Sequence, residues 1–467
     1  MIARAAAGEI ALAVTTGATT AVEVVRATLA DIAERNPACN AFTHVTAERA
    51  IAEAEALDAA IAAGHDPGPL AGVPYAVKNL FDVAGHTTLA GARINAGDAP
   101  AQCDATAVSR LRAAGAVLVG MLNMDEYAYG FTTENAHFGA TRNPHAPDRI
   151  AGGSSGGCGA AVAAGLVPLA IGSDTNGSIR VPSALCGVFG LKPTYGRLSC
   201  AGTFPFVHSL DHIGPFARDS HGLAYAYDAM QGPDPNDPVC RQRVAELTVD
   251  KLLLGSDGLR IGLLAGYFEE NATPEAWEAV EQAARALGTA RKIVVANVEH
   301  ARAAAFVITA REGGRLHLPN LRARRRDFDP LVRDRLTAGA LVPDAWYERA
   351  QRVRRWFSAR MREVFDEVDV LLAPATPTPA TRIGQETITV RGRELPLRPN
   401  MGLLTQPLSF IGLPVVSAPL VRPGRLPLGV QIVAAAWRED LCLRVAWEME
   451  VKGLAFSNEP QPEAIAA

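Results

Sequence analysis

The chain has 467 residues, 48% hydrophobic and 20% charged, and a formal net charge of −4. That balance supports a buried core, excludes a disordered chain, and gives no electrostatic reason to expect nucleic acid or an anionic membrane as a general partner. Seven scattered cysteines without a CxxC or Cys/His cluster exclude a zinc module and fit a reducing cytoplasm, and the sequence shows neither a leader after Met1-Ile2-Ala3-Arg4 nor an apolar run long enough to span a membrane.

From about Thr20 to Ala63, apolar positions recur at helical spacing, first Val22, Val25, Leu29 and Ile32, then Ala50, Ala54, Leu57 and Ile61. This predicts amphipathic helices joined near Asn36-Pro37 and a helical layer over residues 1–65. After the turn-forming stretch His65 to Pro69, the apolar run Val73 to Val77 reads as a strand ending at Lys78. Asp104 to Ala114 then reads as a helix capped by Asp104, and Ala116 to Leu122 as a strand. The alternation continues through strands at Leu259 to Leu264, Ile293 to Val298, Val368 to Leu372 and Val430 to Val433, with helices at Glu275 to Leu287 and up to Glu450. Such a pattern argues for one sheet covered by helices. The Pro-rich stretch Ala373 to Pro379 directly follows a strand, so it is expected to wall a site at the strand end rather than to link domains.

Glycine and serine are dense between residues 150 and 197. Gly152, Gly153, Gly156 and Gly157 bracket Ser154-Ser155 ahead of a small-residue helix, Gly159 to Ala164. This is either a flexible turn or a place where backbone approaches a reacting group; a phosphate cradle lacks its motif, since neither GxGxxG nor GxxxxGK[ST] occurs. A second cluster, Ser173 to Ser178, follows the strand-like Val167 to Ile171, so Ser178 would emerge just past a strand end. Backbone N–H groups there can converge on one oxygen as an oxyanion hole, or the turn can simply bond itself. A serine nucleophile needs a base, and neither cluster contains histidine. Lys78 can serve if burial lowers its pKa from about 10.4 toward about 7 to 8, although a lysine at a strand end is ordinarily a solvated charge.

These segments resemble the amidase signature family over nearly the whole chain. The resemblance rests on Gly152 to Gly157, Gly172 to Arg180, Cys186-Gly187 and Gly190 to Arg197. Flanking pieces at Gly72 to Lys78, Asn123 to Tyr127, Thr141 to Pro144, Gly412 to Val415 and Leu428 to Ile432 agree. It implies an α/β fold with a central mixed β-sheet flanked by α-helices, a single domain over residues 1–467 with the catalytic core at 66–200 and the remainder at 201–467. It also implies amide hydrolysis through an acyl-enzyme with release of ammonia, without cofactor or metal. By the resemblance Lys78 is the base, Ser154 a proton relay in a cis peptide with Gly153, and Ser178 the nucleophile. Thr175, Asn176, Gly177 and Ser178 supply the oxyanion N–H groups, Ser155 and Ser173 are supporting hydroxyls, and Asp174 and Arg180 fix the loop. Two positions depart from the family: Asn176 stands where most members have glycine, and Ser173 replaces the commoner threonine. Asparagine tolerates positive φ, which would preserve the turn, and its side chain is free to narrow the site or bond substrate.

The stretch Asp174 to Ser178, with Phe206, Ser209 to Pro215, Gly313 to Leu318 and the Arg-rich run that follows, resembles the branch that hydrolyses carboxybiuret in cyanuric acid breakdown. That branch works with a small accessory subunit, so the resemblance implies a small anionic amide substrate and a homo- or hetero-oligomer. Alternatives are the A subunit of glutamyl-tRNA amidotransferase, against which the short region after Glu450 counts, and another small-amide amidase. A catalytically silent scaffold is a third, against which the retention of Lys78, Ser154 and Ser178 counts. Arg322, Arg324, Arg325, Arg326, Arg333 and Arg335 are either a solvated helix face or a carboxylate-reading cluster. Arg311, His317 and Arg322 are the candidates for substrate contact. Tyr127 and Phe131 are candidates for the pocket wall, though aromatic residues at helical spacing usually belong to the core.

Overall fold

The computed structural model describes residues 4–457; Met1-Ile2-Ala3, where the reading of a leaderless N-terminus begins, lies outside them. Eleven strands pair into one mixed sheet flanked by helices. Counted along the chain they are β1 (Phe42–Val45), β2 (Pro74–Lys78), β3 (Val117–Leu122), β4 (Leu169–Ser173), β5 (Phe189–Lys192), β6 (Ile213–Ala217), β7 (Ile261–Leu264), β8 (Lys292–Ile293), β9 (Val370–Pro374), β10 (Val415–Pro419) and β11 (Gly429–Ala434). Their spatial order is β1-β3-β2-β4-β6-β5-β10-β11-β9-β7-β8. The run β3-β2-β4 is parallel, as is β9-β7-β8, and antiparallel pairs join the rest. Every residue of β2, β3, β4, β9, β10 and β11 is buried, which is why these strands read as continuous apolar runs rather than as alternation.

The N-terminal region is helical at Ala7–Thr15, Ala21–Cys39 and Ala47–Ala62, but it also contributes β1, the edge strand, which four residues of weak pattern did not announce. The second helix opens on a reciprocal cap, Glu23 N–H to Thr20 Oγ1 (3.1 Å) and Thr20 N–H to the Glu23 carboxylate (3.0 Å). It runs through Pro37 instead of ending at Asn36-Pro37, and it stops at Asn40, which is left-handed with φ 50°. Asn36 Oδ1 then accepts from the N–H groups of Ala41 and Phe42 and turns the chain into β1.

Three further expectations change. Asp104 does not cap the helix, which spans Thr106–Ala113; its carboxylate is taken by a bidentate Arg49 (2.7 and 2.8 Å) and by Ala84 N–H (2.9 Å). The strand expected at Ile293 to Val298 lasts only Lys292–Ile293, and the helix Val298–Leu316 begins instead. The stretch after β9 is largely buried; Pro377 O accepts the N–H and hydroxyl of Thr273, the N-cap of the helix Pro274–Ala286, and the stretch is absent from the wall of the pocket at Ser178. No helix among the described residues is long and apolar enough to cross a membrane.

Candidate active site

Three parallel strands end side by side, β3 at Leu122, β2 at Lys78 and β4 at Ser173, and chemistry-bearing residues gather at this carboxyl edge. Lys78 is fully buried, and its Nζ donates to Ser154 Oγ (2.7 Å) and Ser173 Oγ (2.9 Å). Burial pushes its ammonium down to about 8. Ser154 follows a cis peptide bond from Gly153, and its carbonyl accepts from Asp125 N–H (3.2 Å). The small-residue helix Gly156–Ala163 starts directly behind it, where a Cβ on Gly157 would sit 2.6 Å from the Asn123 backbone; glycine is what lets that helix approach β3. Ser155 Oγ donates to Ser173 O (3.1 Å) and accepts from Ser173 N–H (3.3 Å), tying that helix to the end of β4.

The turn from Asp174 to Ser178 is pinned on every side. Arg180 and Asp174 form a fully buried ion pair through Nε (3.0 Å) and Nη2 (3.1 Å). The carboxylate also accepts from Gly177 N–H (2.7 Å) and Ile179 N–H (3.2 Å). Thr175 Oγ1 donates to Asp211 (2.6 Å), Thr405 Oγ1 donates to Asn176 O (2.6 Å), and Asn176 Nδ2 donates to Thr309 Oγ1 (2.9 Å). Asp211 is half-buried, with its carboxyl pushed up to about 6 by desolvation, and it also takes the N–H groups of Phe206 and Val207.

This geometry revises two expectations. Gly177 N–H is already spent on Asp174, so three of the four anticipated oxyanion donors, the N–H groups of Thr175, Asn176 and Ser178, are left without a protein acceptor among the described residues. The positive φ falls on Gly177 (138°), not on Asn176, and a Cβ at 177 would meet Thr405 Oγ1 at 2.1 Å. Asparagine at 176 is therefore accommodated without calling on its tolerance of positive φ.

Ser178 opens into a narrow pocket whose wall includes Tyr129, Phe131, Asn176, Phe206, Thr309, Arg335 and Gln406. Tyr127, Arg311, His317 and Arg322, expected at the substrate, do not line it. Tyr127 is buried in an aromatic cluster with Phe204, His317 and Phe328, its hydroxyl donating to Asn95 (3.0 Å). His317, pushed down to about 4 by burial, lies in the same cluster, 4.0 Å from the Tyr127 ring. Arg311 pairs with Asp344 beside Tyr347, and Arg322 points to solvent. Within the arginine cluster, Arg324, Arg325 and Arg333 pair with Asp327 and Asp334. Arg335 is the one that reaches the pocket, its guanidinium 3.7 Å over the Tyr129 ring and donating to Tyr129 O (3.0 Å). Phe131, the other aromatic candidate, does line the wall.

Sequence reasoning missed Thr309 and Thr405, which hold Asn176 from segments far away in the chain. A larger surface groove lined by Glu275, Glu278, Arg422 and Arg425 contains none of Lys78, Ser154 and Ser178. No group of three potential metal ligands occurs among the described residues.

The arrangement, a nucleophile-capable hydroxyl beside open backbone N–H groups, with a buried lysine hydrogen-bonded to a second serine at the same sheet edge, suits acyl transfer. The protein is 57% identical to AtzE of Pseudomonas sp. (strain ADP), a 1-carboxybiuret hydrolase subunit, over 96% of this chain and 98% of that one. It is 39% identical to the A subunit of glutamyl-tRNA(Gln) amidotransferase from Roseiflexus sp. (strain RS-1), over 92% of each. Among solved structures it superposes with a TM-score of 0.96 and 56% identity, over 97% of this chain and all of that one, on a protein described as part of a vestigial complex bearing on the origins of an s-triazine catabolic enzyme. The amidase family model matches residues 23–443, so the chain belongs to the amidase family and is an amidase-family hydrolase.

Proposed function

We propose that the chain hydrolyses 1-carboxybiuret, with Ser178 as nucleophile, Ser154 as relay and Lys78 as base. One observation carries the substrate reading: Arg335 bears the only formal charge in the wall of the Ser178 pocket, with no carboxylate beside it among the described residues. Carboxybiuret has a terminal carboxamide and, three atoms from its carbonyl carbon, a carboxylate for Arg335. Glutamine has the same spacing but adds an α-ammonium, which would face a guanidinium with no counter-charge.

Once neutral, Lys78 Nζ keeps its bond to Ser173 and presents its lone pair to the Ser154 hydroxyl. Ser154 passes its proton to Lys78 as it takes one from Ser178, whose Oγ attacks the terminal carboxamide carbon. The oxyanion settles against the N–H groups of Thr175, Asn176 and Ser178. The proton returns through Ser154 to the departing nitrogen, the C–N bond breaks, and ammonia leaves. Water, deprotonated by the same relay, then cleaves the acyl-enzyme and leaves a carboxylate in place of the amide. An accessory subunit belongs to the proposal, because the relative at 57% identity is itself one part of a hydrolase. So does a cytoplasmic setting, which the seven free cysteines suit.

The test is ammonia release from freshly prepared 1-carboxybiuret and from glutamine. Release from carboxybiuret is expected, with Arg335→Met raising KM about 10- to 100-fold and changing kcat less, the scale of a lost charge-assisted bond. Release from glutamine alone would replace this reading with the amidotransferase one, and silence on both would sink the substrate assignment. Because the base must be neutral, kcat/KM is expected to climb about tenfold per pH unit and level off above about 8, where burial places Lys78. Lys192, pushed down to about 7 by burial and by the Arg180 charge, lies 3.1 Å from His212 Nε2 and titrates in the same range. The profile should therefore persist in Lys192→Met; a plateau extending unchanged to pH 6 would exclude Lys78 as the base.

A further inference from the structure

We propose that Asn176 selects substrates with an N–H beside the scissile carbonyl, so that the pocket accepts ureides in preference to carbon-chain amides. This deepens the carboxybiuret reading and rests on it for the choice of ureides. Asn176 is 5% exposed and stands two residues before Ser178, in the turn that supplies the oxyanion N–H groups. Thr405 fixes its main-chain carbonyl and Thr309 accepts from its Nδ2, so backbone and side-chain amide are each held by a different element. Its Oδ1 is buried in the pocket wall without a hydrogen-bond partner among the described residues. A buried acceptor is ordinarily paired, and an orphan at a substrate pocket is satisfied when a ligand brings a donor.

The chemistry of the two competing substrates differs at that point. Next to the scissile carbonyl carbon, carboxybiuret carries N–H and glutamine carries CH₂. Beyond it carboxybiuret places a carbonyl, and Gln406, whose Oε1 is occupied by Arg302 (3.1 Å), retains its Nε2 donor in the same wall. A site built to bond an N–H rejects the analogue lacking it, because its own polar group is then left unpaired.

Two stable anions isolate the feature: 3-ureidopropionate and glutaramate have the same length and charge and differ only in N–H versus CH₂ beside the carboxamide carbon. Their dissociation constants are read from the protection each gives Ser178 against a fluorophosphonate probe, which requires no turnover. In the unmodified protein 3-ureidopropionate is expected to bind at least about tenfold tighter than glutaramate. In Asn176→Ala that ratio should fall to within about twofold of one, with the unprotected labelling of Ser178 reporting that the site is intact. If Asn176→Ala does not fold, Thr309→Val, which releases the amide while leaving Asn176 in place, should lower the ratio at least threefold on the same free-energy scale. A ratio near one in the unmodified protein, or one unchanged in either variant, overturns the inference. Carboxybiuret turnover with an unchanged ratio removes this inference alone. An Asn176-dependent ureide preference without carboxybiuret turnover removes the proposed substrate and leaves the selectivity standing.

Discussion

Ser178→Ala is expected to lower ammonia release by about four orders of magnitude or more, and the triple variant with Lys78→Ala and Ser154→Ala to be no worse than Ser178→Ala alone. In the proposed relay one proton passes through all three side chains, so removing any of them removes the same step. Lys78 Nζ is 2.7 Å from Ser154 Oγ, while Ser178 Oγ has no hydrogen bond among the described residues and meets the pocket directly. Ser154→Ala separates nucleophile from base, and Lys78→Ala leaves Ser154 with nowhere to send its proton. Each single variant should therefore cost about 10³-fold or more, with residual rate from the oxyanion N–H groups and binding. Single-turnover rates with the same preparation measure this. Effects that multiply across the three variants, or near-normal turnover in Ser178→Ala, would mean that the three do not act as one unit.

How much of this was legible in the sequence depends on whether a feature is local. Lys78 at the end of an apolar run, the paired glycines around Ser154 and the turn at Ser178 are each visible in a few consecutive residues, and the structure brings all three to one edge of the sheet. The pocket wall is assembled across long separations instead. Arg335 lies close in sequence to arginines that pair with nearby acids, Arg324 with Asp327 and Arg325 and Arg333 with Asp334, and no spacing distinguishes it from Arg322. Thr405 and Thr309 reach the oxyanion turn from segments more than a hundred residues downstream of it. Gly177 looked like an oxyanion donor because the sequence does not show that Asp174, three residues earlier, folds back onto its N–H. The missed strand β1 fails for another reason: four residues at a sheet edge are too few to set up a periodicity, and their register with β3 is imposed by tertiary contact.

Arg180→Met is expected to destabilise the fold by about 3 to 5 kcal/mol, because it leaves Asp174 charged and buried without its ion-pair partner. Arg180 also donates to Thr405 O (3.1 Å), Gln431 Oε1 (2.7 Å) and Ser409 Oγ, so its planar fork ties β4, β11 and the helix Gln406–Phe410 to one carboxylate. Arg180→Lys keeps the charge but cannot reach all four partners, so it should recover only part of the loss. The pH dependence separates charge from packing. In the unmodified protein Arg180 holds the Asp174 carboxyl well below the usual range against a large burial effect. A depressed carboxyl stabilises above its unfolded pKa, near 3.9, and that stabilisation is lost as pH falls through the folded value. Without Arg180, burial alone raises the carboxyl, and protonation relieves the strain of burying it. The stability gap between the two proteins should thus be widest above about pH 5 and narrow as pH falls through 4, as read by urea unfolding at each pH. A gap independent of pH would assign the loss to packing. The double variant Asp174→Asn, Arg180→Met should be more stable than Arg180→Met while remaining poor in turnover, since an amide in place of the carboxylate no longer holds Gly177 and Ile179 with a charged acceptor.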